Sequence, residues 1–259
     1  ALPEDLFYPL PDDEIKQHKI DLIGKEREDH FVLFWVNRNA RRKRPNDVLW
    51  AWSTFLKDLE KKHGKSNATL LMHTEPTDPE GPNLLATAGD LEIMDSVVFS
   101  NQRVGFEQMN VLHNISDCCI NIAYAEGFGL ATLESMQCGN PIIALKTGGL
   151  TRQIIDHRDG SENGIALDVD FQSLVGSQQV PYIYEDYSSN TKTAAAIMKI
   201  YEMSVEERKA LGQKARDYVM SEFRLQDTID KWHDKLTELV ENWKNNKPAQ
   251  WTLQEVEKS

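Results

Sequence analysis

The chain is 259 residues long, 40% hydrophobic and 27% charged, with a formal net charge of −12. That length allows one large domain or two small ones with a sizeable core, and the acidic balance argues against a surface built overall for nucleic acid or anionic membrane. The longest apolar runs are about six residues, too short to cross a bilayer.

Three cysteines, Cys118, Cys119 and Cys138, show neither a disulfide framework nor metal-ligand spacing. They read as buried thiols in a reducing compartment, so a cytoplasmic location is expected, with peripheral membrane attachment of a longer protein left open. The start carries no charged-apolar-small pattern of a secretory signal.

Residues 1–14 hold three prolines and several acids around Leu6, Phe7 and Tyr8, and read as an extended linker. A short helix is expected over 13–23, with Asp12 or Asp13 as its N-cap. The continuous apolar run 31–36 has the length and character of a strand buried on both faces. After a polar loop at 37–45, a helix over 46–63 gathers Val48, Leu49, Trp52, Phe55, Leu56 and Leu59 on one face and ends at Gly64. The next elements are a strand at 68–73, a proline-rich loop at 75–82 and a helix near 83–92. A strand at 96–100, a helix at 106–116 and a strand at 118–123 follow.

Residues 121–150 then run strand, glycine loop, helix, strand, with a Gly-Gly turn opening a helix near 150–156. A short strand is expected at 164–169. Residues 171–190 are polar and aromatic without a clear period and read as an insertion loop. Helices at 191–201, 204–223 and 226–245 close the pattern, with Ser204 and Glu207 as a capping box for the second. The chain from Lys247 reads as a frayed tail. Strands alternating with helices imply an α/β fold: a Rossmann-like parallel sheet with helices on both faces and a C-terminal helical extension. In such sheets ligands bind beyond the carboxyl ends of the strands, where the loops at 37–45, 73–82, 101–105, 126–129 and 147–150 all fall.

The stretch at 126–134 carries the chemistry. Glu126 stands at a strand end and Glu134 about a turn and a half into the following helix, with Gly127, Phe128 and Gly129 between. A glycine loop feeding a helix N-terminus presents backbone N–H groups and the positive end of the helix dipole to an anion. Carboxylates beside a phosphate are repelled by it, so the two glutamates suit neutral hydroxyls. The combination reads as a site for a ligand with both phosphate and hydroxyl groups, a nucleotide sugar being the obvious class. The basic run Arg41-Arg42-Lys43-Arg44, taken by itself, reads as a solvated basic loop or a nucleic-acid patch. Asp168-Val169-Asp170 follows a short strand late in the chain and reads as a strand-end turn, and no metal site is expected.

Taken together, Glu126-Gly127-Phe128-Gly129-Leu130 with Glu134, Cys138-Gly139-Asn140-Pro141-Ile142-Ile143-Ala144 and Thr147-Gly148-Gly149-Leu150 resemble the Glu-x7-Glu signature of retaining GT-B glycosyltransferases, family 4 in particular. Arg38 to Lys43 is similar to that family's Gly-Arg-x-x-x-x-Lys loop, and residues 1–9 look like its interdomain linker. The resemblance implies a C-terminal donor-binding domain over 15–223, preceded by the linker (1–14) and followed by a C-terminal helix and tail (224–259), with the acceptor half outside this sequence.

It implies catalytic roles for Glu126, facing the transferred sugar, and for Arg38 and Lys43, on the leaving diphosphate. Glu134 is implied at the ribose hydroxyls, and Gly127, Phe128, Gly129, Leu130 and Ala131 at the sugar and diphosphate. Arg103 and Val104 are implied beside the base. The donor would be GDP- or UDP-linked, with no resident cofactor, and the acceptor a glycan, lipid or protein rather than nucleic acid. Hexosyl transfer with retention is the implied chemistry, in glycan biosynthesis, and such a fragment alone is expected to be inactive. The alternative is a non-catalytic nucleotide-sugar-binding or scaffold module. His73 and the proline-rich run after it depart from the family's Gly-x-Gly-Pro turn.

Overall fold

The computed structural model describes residues 2–246. Six parallel strands form one sheet: β1 (Phe31–Val36), β2 (Ala68–His73), β3 (Val97–Ser100), β4 (Cys118–Asn121), β5 (Ile142–Leu145) and β6 (Gly164–Leu167). Their spatial order is β3-β2-β1-β4-β5-β6. The chain steps outward from β1 to β3, then returns to the other side of β1 with β4. The order therefore reverses between β1 and β4, and the loops leaving those two strands part to open a crevice.

The strands are mostly apolar because both faces are covered. Phe31, Leu33 and Trp35 of β1 enter one core with Val48, Leu49, Trp52 and Phe55 of α2 (Pro45–His63) and Ile197 of α7 (Asn190–Tyr201). Val32 and Phe34 point the other way, toward Leu112 of α4 (Phe106–Asn114) and Ile23 of α1 (Asp12–Ile23). Farther along that second face, Cys119 and Ile142 meet Leu133 of α5 (Leu130–Gln137), Leu150 of α6 (Gly148–Ile154) and Tyr218 of α8 (Val205–Glu222). α3 (Leu84–Asp90) completes the α2 side through Leu84 and Ala88.

Several expectations shift by a residue or two, and two need correction. Asp12 and Asp13 are not caps: Pro11 is the N-cap of α1, and both aspartates lie in the first turn, where their charge favours the helix dipole. Residues 171–190 are not an irregular loop. They form an antiparallel hairpin, β7 (Phe171–Val175) with β8 (Ile183–Tyr187), paired from Phe171↔Tyr187 to Val175↔Ile183. Its alternation was hidden because each face mixes polar and apolar residues: Phe171, Ser173 and Val175 on one, Gln172 and Leu174 on the other. The capping box at Ser204 and Glu207 is present.

The last described helix, α9 (Leu225–Asn245), has no buried residue and leaves Ile229, Trp232, Leu236 and Leu239 exposed. No helix among the described residues is long and apolar enough to cross a membrane. The tail from Lys247 lies outside the described residues.

Candidate functional site

A backbone bond ties together the loops that leave β1 and β4. After β1 the chain makes a 3-10 turn at Arg41–Lys43, and the Tyr124 amide, just beyond β4, donates to the Arg42 carbonyl at 2.9 Å. That bond brings Lys43 against Glu126, whose carboxylate accepts from its ammonium. Both side chains are 10% exposed, so the pair is largely withdrawn from water. Arg44 follows in left-handed backbone (φ 56°), uncommon for a residue with a side chain. Its guanidinium donates to Asp47 at 2.9 Å and to the Ser188 carbonyl at 3.1 Å, and stacks over Tyr124 and Tyr187, which hold it there.

The glycine loop is shaped from behind. Gln153 of α6 is fully buried, and its side-chain N–H donates to the carbonyls of Phe128 and Gly129. A trans peptide sets its C=O and N–H on opposite sides, so turning those two carbonyls inward aims the Gly129 and Leu130 amides outward. They lie at the start of α5, where no earlier carbonyl is available to them. Gly148 and Gly149 must be small: a Cβ on Gly148 would sit 2.0 Å from the Glu126 carbonyl, and one on Gly149 2.6 Å from that of Gly127. Gly129 itself has φ 86°. A backbone cradle with outward amides on a helix N-terminus suits a phosphate group.

Glu134, on α5, meets His113 of α4, with Nε2 3.2 Å from Oε2. Arg38 is placed differently. It is exposed and answers two acids of the proline-rich loop, Asp78 at 2.9 Å and Glu80 at 2.9 Å. The hydrogen bond from Arg38 is the main reason the Asp78 carboxyl titrates below its ordinary range. Buried Asn39 fastens that loop by donating to the carbonyls of Pro76 at 3.2 Å and Pro82 at 2.8 Å.

The hairpin supplies a third acid, Glu185, to Arg41. Burial opposes its ionisation, but the hydrogen bonds from Arg41 and Tyr187 outweigh that and leave its pKa lowered. Burial and the same Glu185 contact push the Tyr187 hydroxyl up to about 12. Glu185, Asp78 and Tyr124 carried no sequence signal of their own. They join the site only through long-range packing.

Arg103 and Val104 do not share lining with the Lys43–Glu126 pair. They border a cleft of about 650 Å³ between the end of β3, α4 and α1, together with Asn101, Gln108, His18 and Leu22. A second depression of about 380 Å³ lies over the basic loop, lined by Arg41, Arg44, Glu80 and Tyr124 among others. Asp168 pairs with Lys146, while Asp170 pairs with Lys192 and accepts from the Ser189 amide. Both therefore serve the strand-end turn.

The sequence profile described as "Glycosyl transferases group 1" matches residues 16–175, more than half of the chain. The chain belongs to the glycosyl transferases group 1 family. Curated relatives include N-acetyl-alpha-D-glucosaminyl L-malate synthase of Bacillus anthracis, 23% identical over 85% of this chain and 49% of its own. D-inositol 3-phosphate glycosyltransferase 2 of Catenulispora acidiphila is 29% identical over 71% of this chain and 45% of its own. The chain thus spans about half the length of these relatives.

Among solved structures, the family fold recurs in Anabaena Alr3699/HepE in complex with UDP and glucose, at TM-score 0.70 and 16% identity, over 92% of this chain and 55% of that one. It recurs in the C-terminal domain of a glycosyl transferase group 1 protein (LpcC) from Francisella tularensis, at TM-score 0.64 and 17% identity, over 87% of this chain and 100% of that domain. The architecture is that of the C-terminal half of a GT-B glycosyltransferase.

Proposed function

We propose that this chain is the donor-binding half of a retaining glycosyltransferase that moves a sugar from a nucleotide diphosphate sugar to an acceptor hydroxyl. One observation carries the reading: at the β1/β4 crevice, Lys43 meets Glu126 directly beside outward-facing amides at the start of α5. Support also comes from the family, and from a neighbour whose structure was determined with UDP and glucose.

In this reading the Gly129, Leu130 and Ala131 amides, with Gly127 and Phe128 shaping the loop, and the Lys43 ammonium receive the diphosphate. Their charge offsets what develops on the leaving group. Arg38 joins them by exchanging Asp78 and Glu80 for phosphate. Glu134 accepts from the ribose hydroxyls, and Glu126, freed from Lys43 by the competing phosphate, faces the sugar. Arg103 and Val104, at the neighbouring cleft, border the base. The bond from the anomeric carbon to the diphosphate oxygen breaks, and a bond to the acceptor oxygen forms on the same face. The acceptor proton passes to the leaving phosphate, so no separate base is needed in this half. The nucleotide sugar is a substrate, and the reading calls for no resident cofactor or metal.

Acceptor and full turnover belong to a longer protein, in keeping with relatives of which this chain spans about half the length. Titrating the chain with UDP, GDP and their sugars, by calorimetry and by protection against heating, tests the reading. Binding in the micromolar to millimolar range supports it. No binding to any of them overturns it, and binding without transfer by any longer form leaves a nucleotide-sugar-binding module.

A further inference from the structure

His113 is fully buried in α4, and its Nδ1 has no hydrogen-bond partner among the described residues. Its Nε2 lies 3.2 Å from Oε2 of Glu134, and no other hydrogen bond reaches that carboxylate among the described residues. An orphaned buried nitrogen is destabilising, a cost that a phenylalanine or leucine at this place would not incur. The hydrogen bond to Glu134 is the compensating contact. A carboxylate only accepts, so the ring nitrogen facing it must carry a hydrogen whatever the charge of the ring.

The ring cannot turn away. Phe34 meets it edge to face at 5.0 Å and 83°, and Phe7 at 5.7 Å and 88°. Phe7 is itself clamped, because the segment after it is bonded to α4: the Tyr8 amide donates to Asn110 at 3.0 Å, and Asn114 donates to the Tyr8 carbonyl at 3.0 Å.

We propose that His113 is a positioning residue for the nucleotide site: it pins one oxygen of Glu134 so that the other faces the ligand's ribose hydroxyls. The inference rests on the donor-site reading above and adds the group that sets the angle of its glutamate. Through Phe7, that angle also depends on the segment preceding α1 being docked on α4.

The test is titration of the full chain with UDP and GDP by calorimetry, with melting curves to verify folding. His113→Phe, which keeps the aromatic packing, is expected to weaken both nucleotides about tenfold. His113→Gln, whose amide N–H can reach the same oxygen, is expected to stay within about threefold of wild type. In a Glu134→Gln background, His113→Phe should have no further effect, because the residue acts through that carboxylate. Unchanged affinity in folded His113→Phe, or additive losses in the double variant, overturns the inference while leaving the donor reading intact. Equal losses in the Phe and Gln variants overturn it as well. If His113→Phe does not fold, His113→Leu serves in its place. A wild-type chain that binds neither nucleotide overturns this inference, and one that binds none of their sugars either removes the donor reading with it.

Discussion

Lys43 and Glu126 form the best-buried ion pair of the crevice, and their energetics predict an unusual ligand response. Removing one partner from a pair withdrawn from water leaves an uncompensated charge, a penalty of about 3 kcal/mol. Glu126→Ala is therefore expected to melt about 6–12 °C below wild type. A nucleoside diphosphate would then restore a counter-charge to Lys43, so UDP or GDP should raise the melting temperature of this variant more than that of wild type. Parallel thermal melts with and without nucleotide check this, and a smaller shift in the variant refutes it. Gly149 makes a different point. A methyl group there meets the Gly127 carbonyl at 2.6 Å and the Phe128 Cα at 2.7 Å, both backbone. Gly149→Ala should displace the amide cradle, cost roughly 1–3 kcal/mol and abolish measurable diphosphate binding; wild-type affinity in a folded variant would contradict the cradle.

At the scale of elements, α2 and α9 are opposites. α2 sinks Trp52 fully into the core and satisfies its indole N–H on Ser96 at 2.9 Å, whereas α9 buries nothing. Trp52→Ala should cost roughly 3–5 kcal/mol, and Trp232→Ala less than about 0.5 kcal/mol in this chain. Denaturant unfolding of the two variants measures the contrast. The hairpin β7–β8 stands at the site itself, since Glu185 holds Arg41, the Asp186 carboxylate accepts from Thr147, and the Asp186 amide donates to the Tyr124 carbonyl at 2.8 Å. The family match ends at residue 175, the end of β7, so the second strand lies outside what the profile covers.

Across the whole molecule, acid stability follows from the carboxylates. Hydrogen bonds from Arg158 hold Asp156 well below its ordinary 3.8, at about 2. Arg38 lowers Asp78, and Lys192 lowers Asp170, in the same way. A carboxyl whose folded pKa lies below its unfolded value adds stability above the unfolded value, and loses it as pH falls through the folded one. The melting temperature should therefore decline between roughly pH 4 and pH 2. Asp156→Asn should melt lower than wild type at pH 7 and converge with it near pH 2; a gap that is constant over that range would refute the assignment.

Most of the fold was legible in sequence because both-face burial leaves an unmistakable mark: Phe31–Val36 is a continuous apolar run and Ala68–His73 a largely apolar one, and both are strands at those bounds. The α/β class, the order of the helices and the meeting of the Lys43 and Glu126 loops on one rim follow from alternation and chain direction alone. The hairpin was missed because its two faces are alike in polarity, and a period cannot be read where the faces do not differ.

What only the tertiary structure decided is partnership. Asp78, Glu185, His113 and Gln153 each act on a residue far from them in the chain, Arg38, Arg41, Glu134 and the Phe128 carbonyl. A sequence lists which charges and donors are available, and local pattern places them on strands or loops. Which donor meets which acceptor depends on side-chain distances of about 3 Å, and these exist only once the core has closed.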